Sequence, residues 1–165
     1  MVRVADVSVE VIDASVFKIA VALDCGIVAV AKFDARQATV ESLFTLFEES
    51  GEVVTCELLV RGGNGDLLAI TDVVGNLHIL QKETQQTSFE SLHVESCSQS
   101  EPVVAVEWLS FKDLKLAAIT GQGDLLVFAV QIDHDGLEKD QVTFHRLVEI
   151  STFKELQGFR FSQIN

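Results

Sequence analysis

The chain has 165 residues, enough for one domain with a substantial core, and 48% of them are hydrophobic against 22% charged. The composition excludes a disordered chain. The formal net charge of −13 argues against nucleic acid and anionic membrane surfaces, whose recognition needs clustered Lys and Arg.

The first residues, "MVRVADVSVEVID", alternate apolar and polar, which is a strand pattern and not the continuous apolar run of a signal peptide. "FKIAVAL" and "GIVAVAKFD" follow. The most apolar window, Ile19 to Ala31, is short for a transmembrane helix and carries Asp24 in its middle. It reads as two strands and a turn, and no membrane insertion is expected. "TVESLFTLF" lies inside "ARQATVESLFTLFEESG", which also has a helical reading, with Leu43, Phe44, Leu46 and Phe47 grouped and Gly51 as a C-cap. The repeat described below favours a strand there.

Next come "EVVTCELLV", "DLLAITD", "GNLHILQ" and "SFESLHVE". "PVVAVEWL" opens on the sole proline, Pro102, where a missing N–H is tolerated at a strand start. "LKLAAIT", "GDLLVFAVQ", "VTFHRLVEI" and a final "GFRFSQI" complete the series. "ISTFKELQGF" has a helical alternative, with Ser151 as N-cap and Glu155 in the first turn, one residue beyond the capping-box spacing.

"LLAITDVVGNLHIL" and "LAAITGQGDLLVF" share one plan: apolar strand, A-I-T, short turn, Gly with Asn or Asp, apolar strand. "IAVALDCGIVAV" is a third copy without the Asn or Asp. The aligned glycines Gly26, Gly75 and Gly123 are 49 and 48 residues apart. A period of this length with four strands per unit is the mark of a β-propeller blade. The expected fold is therefore all-β: a partial, WD40-like propeller of about three four-stranded blades. The approximate blades are 1–50, 51–98 and 99–150, with the start of a further blade at 151–165. A two-sheet β-sandwich is the alternative. Glycine at each central turn supplies positive φ. Inner strands, "LKLAAIT" and "GIVAVA" among them, are expected to be covered on both faces, and the outer "SFESLHVE" on one. Three blades do not close a ring, so an open arc would leave an apolar blade face at each end, and the chain reads as part of a longer protein.

Catalytic signatures are missing: no G-x-S-x-G, no P-loop and no H-E-x-x-H occurs. "RGGNGDL" lacks the P-loop lysine and reads as a surface loop. Of the four histidines, His78, His93, His134 and His145, His78 and His93 fall in strands without a nearby partner pattern and are expected to face solvent. Gly136 in "QIDHDGLEKDQV" would put Gln131 and Val142 at the first and last positions of an EF-hand, which needs acidic groups there. Asp66, Asp72 and Asp124 each sit beside a turn and are expected to serve it. Trp108 is expected to pack between blades. Cys25, Cys56 and Cys97 contain no C-x-x-C and are expected to be free thiols. No catalytic, cofactor or metal residue is assigned, and no enzyme activity is expected.

Two segments carry a resemblance. "GDLLAITDVVGNLHILQKETQQT" resembles the G-x-x-L-x-x-x-x-x-x-G-N-L-H-[LI] hairpin in the N-terminal propeller of the Rod family, the kinetochore-associated subunit of the RZZ complex. "ISTFKELQGFRFSQI", Ile150 to Ile164, is similar to a S-T-x-K-x-L-Q-G segment of the same propeller. The resemblance implies a protein-interaction scaffold that contacts a Zwilch-like subunit. It also implies a cytoplasmic location with kinetochore association in mitosis. Such a complex supports the spindle assembly checkpoint and recruits dynein through the adaptor Spindly. The chain departs from the family in lacking the α-solenoid and the remaining blades. Alternatives are a related NAG-type propeller of vesicle tethering at the endoplasmic reticulum and a generic WD40-like scaffold. A propeller enzyme such as a lactonase or glycosidase would need carboxylates or a metal converging on the central channel.

Overall fold

The computed structural model describes residues 1–37, 39–46, 52–61, 65–83, 86, 88–98, 101–110, 112–133 and 141–150. Among the described residues, twelve strands form three antiparallel sheets. The first holds β1 (Val4–Val11), β2 (Val16–Leu23), β3 (Ile27–Asp34) and β4 (Thr39–Leu46). The second holds β5 (Val53–Leu59), β6 (Asp66–Asp72), β7 (Asn76–Lys82) and β8 (Glu90–Ser96). The third holds β9 (Val103–Ser110), β10 (Lys115–Thr120), β11 (Leu125–Asp133) and β12 (Gln141–Ile150). In each sheet the strands follow one another in chain order. This is the meander of a propeller blade and not the crossed connection of a sandwich.

The central hairpin of every blade turns the same way. Gly26, Gly75 and Gly123 have φ of 87°, 93° and 87°. Each donates its N–H to the carbonyl three residues back, at Leu23, Asp72 and Thr120, over 2.9–3.2 Å. An L side chain resists this backbone region, so glycine holds the position in all three copies.

The blades meet at their first strands: β1 packs on β5 and β5 on β9, while β2 and β6 reach the first strand of the next blade. The middle blade is therefore enclosed. All seven residues of β6 are buried. Leu68, Ile70 and Leu80 join a core with Ala20, Val28 and Val30 of the first blade. Leu67, Leu77 and Ile79 join another with Trp108, Leu116 and Phe128 of the third. Each such aliphatic side chain contributes roughly 1.5–3 kcal/mol on leaving water.

One expectation changes here. β3 is not covered on both faces: Val28 and Val30 are buried, whereas Ile27, Ala29 and Ala31 between them are half-buried. Among the described residues the first blade has a neighbour on one side only, so its central strands alternate as an outer strand would. As the repeat favours over the helical reading, Thr39–Leu46 is strand β4, paired along β3 from Asp34↔Thr39 to Ile27↔Leu46. β8 is mostly exposed or half-buried, as an outer strand should be. "ISTFKELQGF" beyond Ile150 and "GFRFSQI", with the expected start of a further blade at 151–165, lie outside the described residues. No described helix is long and apolar enough to cross a membrane.

Candidate functional site

The polar side chains inside the apolar strands are concentrated where blades join. Strand alternation points Asp6 and Ser8 of β1 toward the second blade. The Asp6 carboxylate accepts from the Thr55 hydroxyl and from the Cys56 backbone N–H at 3.1 Å. Ser8 Oγ accepts from the Leu58 N–H at 3.0 Å. Two side chains spaced i, i+2 thus satisfy two backbone donors spaced i, i+2 on β5, a side-chain substitute for a strand ladder. Lys18 of β2 pairs with Asp66 at the start of β6. On the other side, Thr71 Oγ1 donates to the Val103 carbonyl at 2.9 Å and Trp108 Nε1 to the Glu57 carbonyl at 3.3 Å.

The turn of the middle blade is fixed by one carboxylate. Asp72 Oδ1 accepts from the N–H groups of Val74 and Asn76 at 3.0 and 2.9 Å. Its Oδ2 meets Asn76 Nδ2 and His78 Nε2, both at 2.9 Å. Burial opposes ionisation of Asp72, but the hydrogen bonds from His78 and Asn76 outweigh it and hold the carboxyl below its usual range. A carboxylate has about four acceptor sites, and all are taken here. Asp72 and His78 lock a turn, and the Asp72 carboxylate has no acceptor site left over.

His78 therefore departs from expectation. It is 8% exposed and buried, because β7 is an inner strand of the enclosed blade. His93 is half-buried, stacked on Phe144 of β12 with centroids 4.6 Å apart and planes at 11°, and lies 3.3 Å from Glu95. That stack links the outer strands of the second and third blades. His145 is exposed on β12, and His134 lies outside the described residues. Asp66 serves a blade joint rather than a turn. Asp72 does serve its turn; at Asp124 the backbone does so, its N–H donating to Thr120 Oγ1 at 3.1 Å. Trp108 packs between blades. The loops "RGGNGDL" and "QIDHDGLEKDQV" are described only at their edges.

Cys25 is exposed, Cys56 buried and Cys97 half-buried, all as free thiols. Burial pushes both the Cys56 and Cys97 thiols up to about 12. Among the described residues, no three His, Cys, Asp or Glu side chains gather in a way that could hold a metal. Asp6, Ser8 and Thr71 carry the joints and were not singled out in the sequence. Their signal was there in part: short polar residues two apart within "VADVSVEV".

No protein-family model matches the chain, and no curated protein matches it in sequence. Among solved structures, Sqt1 of Saccharomyces cerevisiae, a WD40 propeller, matches 92% of this chain with a TM-score of 0.65 and 9% identity. The chain spans 36% of the length of that structure, about a third. Identity this low shows the fold alone. The chain is a partial, WD40-like β-propeller.

Proposed function

We propose that this chain is a non-catalytic protein-interaction scaffold, part of a Rod-like N-terminal propeller that acts in assembly of the RZZ complex at kinetochores. One observation carries the scaffold reading. The buried carboxylates Asp66 and Asp72 are committed to a blade joint and a turn, as are Thr71 and His78. Chemistry needs such groups with a free valence, whereas a scaffold needs them as ties. The Rod-like part rests on two sequence segments. The first is the hairpin of β6 and β7, turned at Gly75; the second begins at Ile150, where β12 ends.

The protein partner of this reading is a Zwilch-like subunit. Immunoprecipitation of the tagged protein from mitotic cells, followed by mass spectrometry, should recover that subunit and the kinetochore label in prometaphase. Recovery of neither, with a reticular pattern instead, would transfer the chain to a vesicle-tethering role.

A further inference from the structure

We draw no further inference here: the strongest candidate, the apolar face of the first blade that carries Val9 and Val11 of β1 beside Ile19 and Val21 of β2, carries nothing because nothing in the structure shows what covers it.

Discussion

Asp72 holds four hydrogen bonds on two oxygens, and that economy decides how the middle blade responds to acid. Its carboxyl titrates below the usual aspartate range, so the folded state favours the ionised form. The stabilisation is complete above the unfolded value and is lost as pH falls through the lower folded value. Asp72→Asn should remove this acid limb and cost about 1–3 kcal/mol near neutral pH, the price of a buried charge-assisted network. Urea titrations from pH 7 downward would measure it; a variant whose pH dependence parallels the wild type would contradict the assignment. The turn role of Asp72 could be read from its place before V-V-G-N. The burial of His78 could not, because a strand period tells which face a residue takes and not whether a neighbour covers it. Nor could the Asp66 pairing, whose partner Lys18 is on another blade.

At the scale of the element, the central hairpin was the most legible feature, since the Gly spacing repeats and positive φ has few residue solutions. At Gly75 space is limiting as well as backbone conformation. A Cβ there would lie 2.5 Å from the Glu101 carbonyl oxygen and 2.9 Å from that of Ser98. Gly75→Ala should therefore cost about 2 kcal/mol or more, adding the backbone penalty of about 1–2 kcal/mol to the steric one, and lower the melting temperature by several degrees. Gly121→Ala is the control, because its nearest contact is the flexible Glu101 carboxylate at 3.3 Å. Equal losses in calorimetry at both positions would show that the turn geometry is not what matters. The strands themselves were legible from alternation and turn residues. The status of β3 was not, because the repeat describes an average blade and no described strand packs on the far face of the first one.

At the scale of the molecule, stability is graded. A blade gains most where both faces are covered, and repeat architectures add stability neighbour by neighbour. Amide exchange should be slowest in β6 and β7, slower than in β2 and β3 of the first blade, with β8 and β12 quick at their exposed positions. Uniform protection across the three sheets would argue for one all-or-none unit instead. Nothing in the sequence announces this gradient, since the three copies look alike and differ only in who stands beside them.

The ties of Asp6 and Ser8 to β5 have a temporal side. Their acceptor oxygens wait for backbone donors some fifty residues downstream. At about 5–20 residues per second of synthesis, Asp6 waits about 2.5–10 seconds for its donor, and the first sheet, once complete at Leu46, waits about 0.5–2 seconds for Cys56 to cover its inner face. Its four strands can pair locally in that interval, yet the blade stays adhesive until β5 emerges. The nascent chain is thus most exposed to holdase chaperones, and to mispairing with another copy, between completion of its first sheet and arrival of Cys56.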